Sequence, residues 1–157
     1  LAEALVAKGH DVICYSFSSK PEGASYNHVK LNWKVKSAFL KKIYPAIAFR
    51  AISKDGYDII HFHGDDYLCT GSNKKVRTFY GSAIQEAKHA VTIKRFSYQL
   101  LFYLFEWLSC LKKGRLAAIS KNTCRNLPLV KKVIPCCIPV DAYRTSNPKT
   151  KKTYILF

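Results

Sequence analysis

Short apolar stretches alternate with longer helical stretches along this chain, and that alternation limits the folds it can adopt. Short apolar runs bounded by turn residues predict strands at Asp11–Ser16, Tyr57–Phe62, Val76–Tyr80, Arg115–Ser120 and Val130–Pro135. Helical spacing of apolar residues predicts helices over residues 1–9, 34–53, 81–90 and 95–113. Strands separated by helices predict the α/β class, with a mostly parallel sheet and helices on both faces.

Glycine and proline mark the boundaries of these elements. Gly9 is placed to end the first helix, and Asp55-Gly56 predicts a turn before the second strand. Pro45 lies inside the second predicted helical stretch, residues 34–53, where it predicts a kink or two short helices.

The chain is strongly basic. Its 157 residues suit one domain and include 26 Lys and Arg against 10 Asp and Glu, a net charge of +16. No acid lies between Glu22 and Asp55 or between Glu106 and Asp141. This positive field favours anionic partners, such as a membrane surface, nucleic acid or a phosphorylated substrate. A solvated basic surface without a partner is the alternative.

Two segments bear on membrane binding. Residues 95–113 have the apolar centre LLFYLF, which is shorter than the roughly 20 apolar residues that span a bilayer, so a buried or interfacial helix is predicted. Residues 30–54 mix aromatic residues with seven Lys and Arg, a pattern typical of an interfacial helix on an anionic membrane. The same pattern fits a helix packed on the sheet with its other face solvated, and both interpretations stay open.

Six cysteines occur without a C-x-x-C pair or a regular spacing. Cys14 and Cys110 lie in apolar runs, where a free thiol packs as a small hydrophobe. We therefore expect reduced thiols in a reducing compartment, which favours a cytoplasmic location, either free or peripheral on the inner membrane face.

Polar residues follow the predicted strands at the places where a ligand would bind. In parallel α/β sheets, ligands lie beyond the carboxyl ends of the strands. Here those ends fall at residues 61–66, 80–82, 120–122 and 135–141. These segments are the first candidates for a binding crevice.

The first of these strand ends reads HFHGDD. His61 and His63 are two residues apart, so on a strand their side chains share a face. With Asp65 and Asp66 they would offer nitrogen and oxygen ligands to a metal ion. No further ligand cluster has suitable spacing, which favours crevice-lining histidines beside a turn that Gly64 permits.

The other strand ends carry hydroxyl side chains at helix starts. A helix that begins near Ser82 would leave free N–H groups for a phosphate or a developing oxyanion. Ser82 is equally well placed as an N-cap, with Gln85 completing a capping box. Ser120 is predicted to cap the next helix, and no His and Asp are recognisably placed around it for nucleophilic catalysis.

Five motifs follow one another along the chain: LAEALVAKGHDVICYS, YDIIHFHG, VRTFYGS, AAISKNTCRNL and VIPCCIPVDAY. Together they resemble the N-terminal half of family 4 glycosyltransferases, retaining enzymes built of two Rossmann-like domains in the GT-B fold. The resemblance covers nearly the whole chain. It implies a Rossmann-like N-terminal domain over residues 1–146, with a linker and the first strand of a C-terminal domain over residues 147–157.

The resemblance also implies an activity, the transfer of a hexose from a nucleotide sugar to a glycan or lipid-linked acceptor in polysaccharide biosynthesis. The family holds the nucleotide sugar in its C-terminal domain, so the 157-residue chain alone is expected to be inactive. The implied catalytic residues are Tyr80 and His63. The implied substrate-binding residues are His61, Gly64, Asp65, Gly81, Ser82, Glu86 and Ser120. No metal, no other cofactor and no nucleic-acid partner are implied.

Two positions depart from the family pattern. The usual His after the third strand, which faces the transferred sugar, is Tyr80 here. The usual Asn-Gly of the last motif is replaced by residues 136–139, CCIP. The first departure affects the catalytic detail, and the second predicts a divergent turn at the domain boundary.

Two other functions are alternatives. The net charge of +16 suggests a basic nucleic-acid-binding module, although no RNP-like aromatic strand, zinc knuckle or helix-turn-helix accompanies it. A metal-dependent hydrolase would use His61, His63 and Asp65.

Overall fold

The structure is a computed structural model that describes residues 1–136 of the chain. Its helices are α1 Ala2–Val6, α2 Ala38–Ala51, α3 Ala83–Lys88, α4 Ile93–Cys110 and α5 Lys121–Asn126. Its strands are β1 Ile13–Ser16, β2 Asn27–Lys30, β3 Ile60–Phe62, β4 Lys75–Phe79, β5 Arg115–Ala118 and β6 Lys132–Val133.

All strand pairings among these described residues are parallel. β1 pairs with β2, and β3, β4, β5 and β6 form a second sheet in that order. The predicted α/β class with parallel strands is confirmed. β2 is absent from the sequence prediction because its four residues include a single apolar side chain, Val29. A 2.8 Å hydrogen bond between the hydroxyls of Tyr15 and Tyr57 links β1 to the segment before β3.

The first helix ends as its sequence predicts. Gly9 adopts a φ of 85°, a left-handed conformation that glycine reaches without steric cost. The Gly9 N–H donates to the Val6 carbonyl at 2.8 Å, and the His10 N–H donates to the Leu5 carbonyl at 3.1 Å. These two bonds satisfy carbonyls that the helix end would otherwise leave unpaired.

Alternation along β4 decides which of its side chains are buried. Lys75, Arg77 and Phe79 are buried, whereas the residues between them are partly exposed. The strand register places Phe62 of β3 and Ala118 of β5 on the same face as Arg77 and Phe79. The main apolar core forms on this face from Phe79, Cys110, Ala118, Leu127 and Val130.

Helices cover one face of the four-stranded sheet. Cys110 of α4 belongs to the core on that face, and the ring of Phe49 in α2 lies 6.3 Å from the ring of Phe62. The opposite face carries His61 and His63, which are exposed. At β5 the adjacent residues Ala117 and Ala118 face opposite sides of the sheet and are both buried, so the sheet is covered on both faces there and is open beside β3. The expectation of helices on both faces stays a prediction.

Helix α2 runs from Ala38 to Ala51 through Pro45, so the alternative of two short helices is excluded, and the alternative of a kink at Pro45 stays a prediction. Pro45 lacks the N–H that would bond one turn back, but Ala46 beside it is completely buried. Packing of the helix on its neighbours therefore outweighs the local cost of proline.

No helix within residues 1–136 is long and apolar enough to cross a membrane. Three expectations lie wholly or partly outside the described residues. They are the linker over residues 147–157, the strand end at residues 135–141 and the divergent CCIP turn at residues 136–139.

Candidate active site

The carboxyl ends of β3 and β4 lie side by side, as the sequence predicts for neighbouring parallel strands. His63 Nδ1 lies 2.5 Å from the Tyr80 hydroxyl oxygen, and His61 Nε2 lies 2.8 Å from Thr78 Oγ1. The two imidazole ring centroids are 4.2 Å apart. Four polar side chains from two strands thus form one row on the open face of the sheet.

Partial burial sets the charge state of this row. It lowers the pKa of His61 and of His63, and the neighbouring His63 lowers the pKa of His61 further. Partial burial also raises the pKa of Tyr80. At neutral pH both imidazoles are therefore neutral and the phenol keeps its proton, so either ring nitrogen tautomer fits the His63–Tyr80 hydrogen bond.

A tight turn follows β3. Gly64 has a φ of 147° and Asp65 has a φ of 53°, so the chain reverses through two left-handed residues. Glycine adopts such angles freely, and Asp is among the side chains that tolerate them best. The turn directs Asp65 toward the candidate site and Asp66 into the protein. Burial raises the pKa of Asp65.

Asp66 is the centre of a buried polar cluster. Its carboxylate accepts hydrogen bonds from Lys75 Nζ at 2.8 Å, from the Arg77 guanidinium, and from Ser109 Oγ at 2.6 Å. All four side chains are less than 10% exposed. The cluster fixes the turn after β3 against both β4 and α4. It is a structural support for the site, since opposite buried charges need one another.

Lys112, two residues after the end of α4, also binds the segment that follows β3. Its Nζ donates to the carbonyl oxygen of Cys69 at 2.9 Å and to that of Tyr67. Tyr67 is buried, and its ring stacks on Phe105 of α4 with centroids 4.5 Å apart. Residues 66–69 are therefore held in place by side chains of β4, of α4 and of Lys112.

Glu106 of α4 occupies the start of α3. Its carboxylate accepts from the Ala83 N–H at 3.0 Å and from Ser82 Oγ at 3.0 Å. The predicted anion site at this helix start is therefore filled by the protein's own carboxylate. The predicted capping box is wrong as well, because Ser82 holds the N-cap position without a side-chain capping bond and donates its hydroxyl proton to Glu106.

A cavity of about 240 Å³ opens between the strand ends, α3 and α4. Its lining includes most of the residues that the sequence singled out, namely His63, Gly64, Asp65, Tyr80, Gly81, Ser82 and Glu86. Two predicted residues are not in this lining. His61 lies beside His63, and Ser120 caps α5 by accepting from the Thr123 N–H at 3.2 Å.

Two residues that line the cavity each have one buried polar atom without a hydrogen-bond partner within the described part of the chain. The atoms are the Tyr67 hydroxyl and Arg77 Nε. Burial of such atoms is costly, and neither atom is accessible from the cavity.

The charge of the cavity wall is opposite to that of the chain as a whole. Asp65, Glu86 and Glu106 all line it, whereas the guanidinium of Arg77 is already paired with Asp66. Burial raises the pKa of Glu106, although its hydrogen bonds to Ser82 and Ala83 oppose that shift. The wall can accept hydrogen bonds from hydroxyl groups, and it is unfavourable for a phosphate.

Residues 1–136 contain no ligand set for the alternative of a metal site. No group of three or more His, Cys, Asp or Glu side chains there is arranged to hold a metal ion. His61 and His63 instead direct one ring nitrogen each at Thr78 and Tyr80.

Sequence reasoning missed several residues that build the site: Asp66 as a buried anchor, Lys75, Arg77, Ser109, Tyr67 and Glu106. Two features of the sequence indicate that some of these residues are buried charges. Lys75 and Arg77 alternate on a strand that ends in a core Phe, and Glu106 is a lone carboxylate in the apolar stretch LLFYLFEWL. A charge in such a context requires a partner, but the sequence does not identify it.

Comparison of the chain with protein-family models, with curated proteins and with solved structures found no match.

Proposed function

We propose that this chain carries the acceptor-side domain of a retaining glycosyltransferase that moves a hexose from a nucleotide sugar to a glycan or lipid-linked acceptor. The observation that supports this most is the polar cavity beyond the carboxyl ends of β3 and β4, with His63 and Tyr80 hydrogen-bonded at its edge. The order of the motifs along the chain supports the same function.

In this proposal the nucleotide sugar comes from a second domain, and the acceptor hydroxyl lies beside His63. The bond between the sugar C1 and the diphosphate oxygen breaks, and a glycosidic bond to the acceptor oxygen forms. The acceptor proton passes to the released diphosphate. A neutral His63 with its proton on Nδ1, shared with the Tyr80 oxygen, has Nε2 available to orient the acceptor hydroxyl.

The acidic wall has a role in this scheme. Asp65, Glu86 and Glu106 would accept hydrogen bonds from sugar hydroxyls. Phe102 adds an apolar surface to the same wall, and sugars pack on such surfaces through their C–H groups. A neutral glycan is favoured over an anionic one at this position.

The two alternatives have weaker support. A nucleic-acid-binding module rests on net charge alone, and the cavity is acidic. A metal-dependent hydrolase through His61, His63 and Asp65 would need a ligand set that residues 1–136 do not assemble. Tight, salt-sensitive binding to random oligonucleotides would favour the first, and stoichiometric zinc after dialysis would favour the second.

The test is a transfer assay on the protein encoded by the whole open reading frame. Radiolabelled UDP-glucose, UDP-galactose, UDP-N-acetylglucosamine and GDP-mannose are each supplied with a membrane extract as the acceptor source. We expect one donor to yield a labelled glycan or lipid-linked product, and residues 1–157 alone to yield none. Steady turnover of a nucleotide sugar by residues 1–157 alone would contradict the division of labour between two domains.

A further inference from the structure

Helix α4 exposes a continuous apolar stripe. Six large apolar residues recur along α4 and its C-cap at steps of three or four residues, and each is between 36% and 86% exposed: Ile93, Phe96, Leu100, Leu104, Leu108 and Leu111. Such steps place side chains on one side of a helix. At a rise of 1.5 Å per residue the stripe is about 27 Å long.

Helix α2 packs against the flank of α4 that carries Tyr98. The ring of Phe39 stacks on Tyr98 of α4 with centroids 5.5 Å apart, and Lys42 Nζ lies 5.0 Å from the centre of the same Tyr98 ring. α2 itself exposes Phe39, Leu40 and Ile47. We call the exposed apolar residues of the two helices the α2–α4 surface.

Positive charge borders the α2–α4 surface, and negative charge is nearly absent from it. Lys41, Lys42 and Lys94 are exposed on the two helices. α2 contains no acid, and the single acid of α4, Glu106, is turned toward Ser82 and Ala83 at the cavity. An apolar stripe with a cationic border is the pattern of a helix that lies in the headgroup region of an anionic bilayer.

We propose that the α2–α4 surface docks the protein on an anionic lipid bilayer, with the α4 stripe inserted among the headgroups and the lysines on the lipid phosphates. This inference does not depend on the proposed function. A second copy of the chain is a poor occupant, because two copies that each carry +16 repel one another. An anionic membrane matches both the apolar stripe and its charge.

The sequence pattern of residues 30–54 left two interpretations open, an interfacial helix or a helix packed on the sheet. In the structure α2 buries Ala46 completely and exposes Leu40 and Ile47. α2 is therefore a packed helix on its Ala46 side, and the interfacial interpretation stays a prediction for its exposed side.

The experiment is co-sedimentation of the 157-residue protein with vesicles, either of phosphatidylcholine alone or of phosphatidylcholine and phosphatidylglycerol in equal parts. We expect binding to the anionic vesicles, weakened by high salt, and little binding to the neutral ones. Leu104→Glu should weaken binding to anionic vesicles by about tenfold or more, because it places a carboxylate in the inserted stripe. The matched control Leu129→Glu makes the same change at an exposed leucine outside the two helices, and it should bind like the wild type.

A second variant tests the cationic border. Replacement of Lys41, Lys42 and Lys94 by Gln should also lower binding to anionic vesicles, while circular dichroism shows an unchanged fold. If Leu104→Glu fails to fold, Leu104→Ser is judged by the same criterion.

Three outcomes would overturn the proposal. They are wild-type protein that ignores anionic vesicles, equal vesicle binding by wild type and Leu104→Glu, and a Leu104→Glu change that dissociates a dimer in sedimentation without altering lipid binding.

Discussion

His63 Nδ1 and the Tyr80 hydroxyl oxygen lie 2.5 Å apart, although seventeen residues separate them in the chain. The contact exists because β3 and β4 pair in parallel and end at the same edge of the sheet. It therefore joins two of the four strand ends that the sequence predicts as candidates for a binding crevice.

The titration of the histidine row is the first prediction. Partial burial lowers the pKa of both His61 and His63, so both should titrate below the unperturbed value of about 6.5. His63→Gln should raise the midpoint of His61, because it removes the neighbouring charge that helps to lower it. NMR of ¹⁵N-histidine-labelled protein gives both midpoints. A His61 midpoint at or above that of a free imidazole would contradict the arrangement.

The lowered pKa values of His61 and His63 also make the free energy of unfolding depend on pH. Since the folded state binds protons to these rings less readily than the unfolded state, their protonation favours unfolding. The free energy of unfolding should therefore rise as pH increases through the folded pKa values and level off above about 6.5. Urea unfolding of the wild type and of the double variant His61→Gln/His63→Gln measures this contribution, which should be smaller in the variant.

Removal of the buried anchor should be strongly destabilising. Asp66→Asn keeps the shape of the side chain but leaves Lys75 and Arg77 without a buried counter-charge, which costs about 3–5 kcal/mol. The neighbouring Asp65→Asn is the control, because it removes a carboxylate that burial already disfavours and should cost below about 1 kcal/mol. Urea midpoints at pH 7 compare the two. Equal stability of both variants would remove the anchor role of Asp66.

Glu106 allows a pH test of the cavity wall. Burial raises its pKa above the unfolded value, so its contribution to stability is fully present at low pH and is lost as pH rises through the folded pKa. Relative to the wild type, Glu106→Gln should therefore be more stable at pH 7 than at pH 4. Glu86→Gln removes the same charge from an exposed position of α3 and serves as the control. An advantage of the variant that shrinks as pH rises would contradict the raised pKa.

A substitution at Gly81 tests ligand binding separately from folding. A methyl group added there meets nothing within 4 Å, so Gly81→Ala should leave the melting temperature unchanged. Gly81 also lines the cavity, so under the proposed transferase function the extra methyl should lower kcat/KM by about tenfold. Gly71→Ala should instead destabilise the fold, because its Cβ would lie 2.7 Å from the backbone nitrogen of Lys113. Unchanged activity of Gly81→Ala would argue against a ligand in the cavity.

Much of the fold could be predicted because it follows from local patterns. Apolar runs and turn residues located β1, β3, β4, β5 and β6 within a few residues of their observed bounds. Parallel pairing of β3 and β4 then brought His63 and Tyr80 together. β2 was not predicted, because it is held extended by pairing with β1 and not by its own composition.

The supports of the site could not be predicted, because they depend on how α4 packs against β4. Asp66 and Ser109 are 43 residues apart, and Ser82 and Glu106 are 24 apart. No local pattern specifies which buried charge meets which partner at such distances. The continuity of α2 through Pro45 has the same origin, since tertiary packing outweighs a local rule.

The proposed glycosyltransferase function is tested by transferase activity of the protein from the whole open reading frame with and without EDTA, measured for the wild type and for Tyr80→Phe. We expect the wild type to be insensitive to the chelator. We also expect Tyr80→Phe to lower kcat/KM by about tenfold or less, the effect of losing one neutral hydrogen bond. His63→Ala should lose more, because packing and a polar contact both vanish. Activity abolished by EDTA, together with complete loss in both His61→Ala and His63→Ala, would contradict the glycosyltransferase site and favour a metal centre.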